Sequence, residues 1–264
     1  LPIIIYDGTN DADVLRCKVA LIGVLDSRGS DNNNGAEAAI NQVRSQLYAF
    51  KSMPEHSTIA DIGNIVAGES LNDTLFALEQ VTFQMLQHKI FPIIIGGSIV
   101  QSYAQAMAYT HLMNGAMDMI CIDEQFELDT YFDGQELNEQ NYLYKLFVDH
   151  SLLINTFTLL GYQSYYIRDT YRKMLKDMKH DAYRLGIIRE DIREVEPLVR
   201  NGDMIAVNIA AMRSCDAPGH VNASPNGFFA DEMCQILRYA AASDKLSSIG
   251  IYNYNPNYDI QHIT

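Results

Sequence analysis

Short apolar runs rich in β-branched residues recur along this chain, each separated from the next by a longer stretch with helical periodicity. That alternation is the strongest constraint the sequence carries. Strands that are apolar throughout belong to a sheet buried on both faces, and parallel strands need crossover helices to join them. The runs are Val19 to Leu25, Phe91 to Ile95, Met117 to Ile122, Gln163 to Ile167, Met204 to Ile209 and Ser248 to Tyr252. Between them Gly35 to Phe50, Leu71 to His88, Val100 to Met113, Asn138 to His150 and Asp231 to Ala242 read as helices. Leu75, Leu78, Phe83 and Leu86 broadly keep the spacing of a stripe that lies on a sheet. Right-handed crossovers covering both faces predict a three-layer α/β/α sandwich around a mainly parallel sheet. In such folds ligands sit beyond the carboxyl ends of the strands, so the loops that follow strands matter most.

The 264 residues carry no internal repeat, low-complexity segment or linker, and are read as a single domain, 1–264. The polar, acidic stretch Asp129 to Gln140 reads as an exposed loop or a place where residues are left out. The chain stops soon after Asn255-Pro256 with no closing helix, so terminal segments beyond it are expected. Lysine and arginine number 19 against 33 aspartates and glutamates, a formal net charge of −14. Such a field repels phosphate backbones and anionic lipid, so neither nucleic acid nor membrane is the expected partner. The chain opens on Leu1-Pro2-Ile3-Ile4-Ile5 but lacks a basic region followed by a long apolar stretch, and no run reaches the roughly 18 apolar residues of a spanning helix, which points to the cytoplasm. The four cysteines, Cys17, Cys121, Cys215 and Cys234, form no CxxC pair and read as reduced, mostly buried thiols.

Four loops follow strands at the expected active edge: Gly96-Gly97-Ser98-Ile99, Asp123 to Leu128, Asn208 to Gly219, and Asn253-Tyr254-Asn255-Pro256. Their order and spacing resemble the ureohydrolase superfamily of arginase, agmatinase and formimidoylglutamase, whose motifs are GGDHS, DAHxD, SxDxD followed by a DPxxAPG loop, and a late Glu shortly before Asn-Pro. Upstream, Asp26 to Gly29, Asn34-Gly35-Ala36 and Val43-Arg44 are similar to the family's early loop and its arginine-bearing helix. The resemblance covers nearly the whole chain. Gly161-Tyr162-Gln163-Ser164, Ser224-Pro225-Asn226-Gly227 and Arg238-Tyr239-Ala240 place it nearest a formimidoylglutamase-like bacterial branch. It implies an arginase-like fold, an oligomer, and two manganese ions whose bridging hydroxide attacks a guanidino or formimino carbon.

Carried over residue by residue, that ligand set is mostly missing. The Asp and His of the first motif fall on Ser98 and Ile99. In the second, Asp123 is kept, the His becomes Gln125 and the last Asp becomes Glu127. The third motif's aspartates fall on Ala210 and, through a gapped alignment, Met212, and the late Glu becomes Asn253. Two carboxylates are left where the family uses about four aspartates and two histidines. Hence the leading expectation is a degenerate family member without the dimanganese centre, serving as a non-catalytic binding or assembly protein with a protein partner, a second copy of itself or a small amino-acid-like ligand. The alternative is a hydrolase of linear amidine C–N bonds with an altered or mononuclear site, one divalent ion at Asp123 and Glu127. A third reading is a sensor in which Arg213 and the Gly96-Gly97 turn hold an amino-acid carboxylate.

Each of these residues also has a plainer role. A glycine pair after a strand is commonly a tight turn, and Arg213 is commonly an ion-pair partner. His220 and Asp216 would have to turn inward to replace lost ligands. Cys121 and Cys215 lack an adjacent histidine to make a nucleophile. Tyr162, Tyr165, Tyr166 and Tyr171 read as strand packing or a contact surface, and His88, His111, His150 and His180 as helix-end or surface residues.

Overall fold

A computed structural model describes residues 3–6, 8, 11–30, 32–51, 58–112 and 116–264. Leu1-Pro2 and Met113, the expected end of the third helix, lie outside them. In chain order the elements are β1 (Ile3–Ile5), α1 (Asp11–Val14), β2 (Val19–Leu25), α2 (Ala39–Leu47), β3 (Ile59–Val66), α3 (Leu71–Gln87), β4 (Phe91–Ile95), α4 (Gln101–Met107), β5 (Met117–Ile122), α5 (Tyr142–Asp149), β6 (Ile154–Tyr162), α6 (Asp169–Asp177), β7 (Asp181–Arg184), α7 (Leu185–Glu190), α8 (Glu196–Val199), β8 (Met204–Asn208), α9 (Ala230–Ala241) and β9 (Ser248–Tyr252).

The strands form one sheet of nine in the order β1-β3-β2-β4-β9-β8-β5-β6-β7, every pair parallel. The central strands behave as their composition dictates. All five residues of β8 are buried, as are Cys121 and Ile122 of β5. One large apolar cluster lies on the face covered by α3, α4 and α5, joining Leu78, Val100, Leu146 and Phe157, and a second joins Val199, Ile205, Phe228 and Ile236 on the other. This is the three-layer sandwich the alternation predicts.

The α3 stripe is buried at Leu75 and Leu78 and half-buried at Phe83 and Leu86. Its N-terminus is set by Ser70, whose Oγ accepts from Asp73 N at 3.3 Å while Asp73 Oδ2 accepts from Ser70 N at 2.7 Å. One expected strand is misplaced. Gln163 to Ile167 is a turn, and the strand before it is Ile154–Tyr162. Gly161, at φ +94°, and the bond from Gln163 N to Glu124 O turn the chain out of the sheet there. Tyr162 and Tyr171 are buried, whereas Tyr165 and Tyr166 face outward. The acidic stretch 129–140 is irregular but tied down: Glu139 N donates to Gly29 O at 3.0 Å and Leu137 is buried.

Candidate functional site

The carboxyl ends of β4, β5, β8 and β9 converge at the middle of the sheet. Gly96 and Gly97 leave β4 at φ +102° and +72°, and a Cβ on either would stand within 2.8 Å of a backbone oxygen, Val24 O or Asp26 O. That turn brings Ile99 against a cavity of about 60 Å³ whose wall also includes Asp123, Gln125, Glu127, Ala210 and Asn253. The post-strand loops therefore meet as the pattern requires. Gly96, Gly97 and Ser98 support the turn without lining the cavity. Ser98 is fully buried, its Oγ donating to Arg28 O at 2.9 Å and bonded to Gln101 Oε1 at 2.8 Å.

Two expected residues lie elsewhere. Met212 packs between the apolar clusters and pairs its backbone with Phe228. Arg213 pairs with Asp216 at 2.8 Å and lies 4.0 Å over the Phe229 ring, so it clamps nothing in this cavity. His220, by contrast, does turn inward. It is 7% exposed, its Nδ1 accepts from Asn222 N at 3.0 Å, and burial pushes its pKa down to about 4, so the imidazole is neutral.

Sequence reasoning missed Asn208, Glu139 and Tyr142, all on the wall. Asn208 Nδ2 donates to Asp123 Oδ2 at 2.9 Å, and its Oδ1 accepts from Ala210 N at 3.0 Å. Asn253 Nδ2 donates to Glu139 Oε1 at 2.9 Å and to Asn208 Oδ1 at 3.3 Å, while its Oδ1 accepts from Ile99 N at 3.2 Å. Asn33 Nδ2 adds a bond to Asn253 O at 2.9 Å. Buried amides thus cross-brace four strand ends and the early loop. Asn253 holds φ +66° while 1% exposed, a conformation asparagine tolerates better than most residues. The signal for Asn208 was present, since it ends a strand in the third motif. Glu139 comes from the loop that crosses over the cavity, and no local pattern announces that.

The electrostatics are one-sided. Asp123, Glu127 and Glu139 line the cavity and no lysine or arginine does. Burial pushes Asp123 up to about 7 against the bonds from Asn208 and Gln125 N, and with Asp123 beside it pushes Glu124 up to about 8. Burial raises the Cys121 thiol well above its usual range, which removes it as a nucleophile.

The profile of the Arginase family matches residues 17–264. The chain belongs to the arginase family. Among curated relatives, formimidoylglutamase of Bacillus subtilis (strain 168) is 26% identical, the match covering 93% of this chain and 82% of that protein. Formimidoylglutamase of Staphylococcus haemolyticus is 22% identical, over 93% of this chain and 81% of the relative. The crystal structure of the Bacillus subtilis enzyme superposes with a TM-score of 0.85 at 22% identity, covering 99% of this chain and 85% of that one. Formiminoglutamase of Trypanosoma cruzi with manganese superposes at 0.83 with 17% identity, over 96% and 90% of the two chains.

Several positions on this wall carry no metal-binding side chain. Ile99 and Ala210 offer no lone pair, Gln125 offers a neutral amide, and Met212 is outside the cavity. Among the described residues no three His, Cys, Asp or Glu side chains stand close enough together to hold a metal ion. The wall does carry hard donors, Asp123, Glu127, Glu139 and His220, but they do not converge as a pair of manganese ions would need. No helix among the described residues is long and apolar enough to cross a membrane.

Proposed function

We propose that this arginase-family protein uses the family's fold for binding or assembly and performs no two-metal hydrolysis. The observation that carries this reading is the amide bracing of Asn208 and Asn253 at the strand ends, beside apolar Ile99 and Ala210, around a cavity of about 60 Å³. At the roughly 30 Å³ that one water takes up in the liquid, that volume holds only about two waters. The net charge of −14 favours a protein partner, a second copy of the chain or a small amino-acid-like ligand over nucleic acid or a membrane.

The names of the relatives favour a second reading, hydrolysis of a linear amidine such as formimidoylglutamate with an altered or mononuclear site, and Asp123 and Glu127 both reaching the cavity wall supports it. One preparation separates the two. The protein is expressed with excess manganese, desalted, measured for metal by plasma mass spectrometry, and assayed on formimidoylglutamate, arginine and agmatine. Binding or assembly predicts negligible metal and no turnover. Metal near one ion per chain with turnover on any of the three establishes the hydrolase instead.

A further inference from the structure

A second cavity, of about 210 Å³, lies at the carboxyl ends of β6 and β7 and shares no lining residue with the first. Its wall is rigid. Gln163, 2% exposed, donates from Nε2 to Asn226 O at 2.7 Å, and its Oε1 accepts from Asn226 Nδ2 at 2.7 Å and from the Tyr165 hydroxyl. Arg189 is held by Glu232 at 3.1 Å, by Asn226 Oδ1 at 3.3 Å and by Gly227 O, and lies 4.2 Å over the Phe229 ring. Its charge is already matched by Glu232.

Arg184 is different. Of the eleven arginines in the sequence, nine pair with an aspartate or glutamate. A tenth, Arg238, lies 5.9 Å over the Tyr239 ring. Among the described residues Arg184 has neither kind of partner, in a chain where acids outnumber bases 33 to 19. It lines the cavity. The residue two along is Gly186, whose φ is not in the left-handed region, so the backbone does not require glycine there, and glycine weakens a helix. A Cβ at Gly186 would stand 3.8 Å from Arg184 Nε and 3.9 Å from Nη2. Those two nitrogens form the edge of a guanidinium that grips a carboxylate with two parallel bonds. Glycine keeps that edge clear.

We propose that the cavity between the ends of β6 and β7 binds a small organic carboxylate, with Arg184 as its bidentate clamp. One unmatched positive charge suits a monoanion better than a phosphate dianion. Tyr165, 65% exposed and packed edge-on against Tyr166 at 4.6 Å, gives the attached chain an aromatic surface beside the charge. The carboxylate clamp that the third sequence reading sets at Arg213 thus passes to Arg184, whose guanidinium has no acidic partner among the described residues.

The probe is 3-phenylpropionate, titrated at constant ionic strength into the full chain labelled with 15N-arginine, with the side-chain Nε–H resonances followed. Its uncharged amide serves as the control and inorganic phosphate as the competitor. One arginine resonance is expected to shift saturably with the carboxylate and not with the amide. Arg184→Gln is expected to weaken binding at least tenfold, Arg184→Lys by less, and Gly186→Ala two- to fivefold, with Arg213→Gln unchanged. Binding of Arg184→Gln within twofold of wild type, or the absence of a saturable shift, overturns the assignment. Phosphate binding more tightly than the carboxylate overturns the ligand class. Because the two cavities share no wall, these results are independent of whether the first one hydrolyses anything.

Discussion

Asp61 and Glu124 are buried to nearly the same extent, 3% and 4% exposed, and behave oppositely. Asp61, on β3, meets Arg44 through two bonds of 2.6 and 2.7 Å, accepts from Gly63 N at 3.0 Å and is bonded by the Tyr48 hydroxyl. Burial pushes its pKa up, and these bonds outweigh it and bring the group below its usual value. Glu124, two residues past β5, has no partner for Oε2 and Asp123 as its neighbour, and it rises to about 8. Equal burial therefore says little about a carboxylate until its partner is known. The first pattern is a structural brace, whereas the second leaves a buried acid that holds its proton at neutral pH.

The largest test breaks the brace. Arg44→Gln leaves Asp61 buried and unpaired and is expected to cost about 3–5 kcal/mol in urea unfolding at pH 8, with Arg44→Gln/Asp61→Asn recovering most of it. Next, Glu124→Gln should stabilise the protein, and the gain should depend on pH. Because the folded state holds its proton at Glu124 up to about pH 8, while the unfolded chain releases it near 4.5, wild-type stability falls as pH rises between those values. The variant should gain about 2–4 kcal/mol over wild type at pH 9 and almost nothing at pH 4. A gain independent of pH would mean that Glu124 is ionised in the fold.

Asn253→Ala removes the bonds to Glu139, Asn208 and Ile99 N and puts alanine in a left-handed conformation, for an expected loss of about 2–3 kcal/mol. Asn253→Gly, free of the backbone strain, should lose about 1 kcal/mol less. The smallest effect belongs to Lys245, 41% exposed and paired with Asp118 and Asp203. Lys245→Ala should cost under about 1 kcal/mol and less in high salt, since solvent already screens the pair.

These contrasts also show what a sequence can disclose. β2, β4, β5 and β9 were legible because central parallel strands are nearly unbroken apolar runs. β3 and β6 were hidden by polar residues: Asp61 and Asn64 interrupt one, and Asn155 and Thr156 open the other, both bonded to Asp118 Oδ1. Tyr165, Tyr166 and Ile167 looked more like a strand than the true one beside them. In the site, Ile99, Asp123, Gln125, Glu127, Ala210 and Asn253 were readable because each follows a strand. Glu139 was not, because the irregular loop that carries it leaves no periodic trace.

The strand order carries one further consequence, in time. β9 is the latest in chain order of the described strands and yet lies at the centre, pairing with β4 on one side and β8 on the other. During synthesis from the N-terminus, β4 and β8 each expose an unpaired edge until residues 248–252 leave the ribosome. The two halves of the sheet are then joined by a single late insertion. Such bare edges invite pairing with other chains. Slow release of residues 248–252 should therefore raise aggregation more than a pause of equal length elsewhere, and Asn253, one residue beyond that strand, closes the cavity only after it.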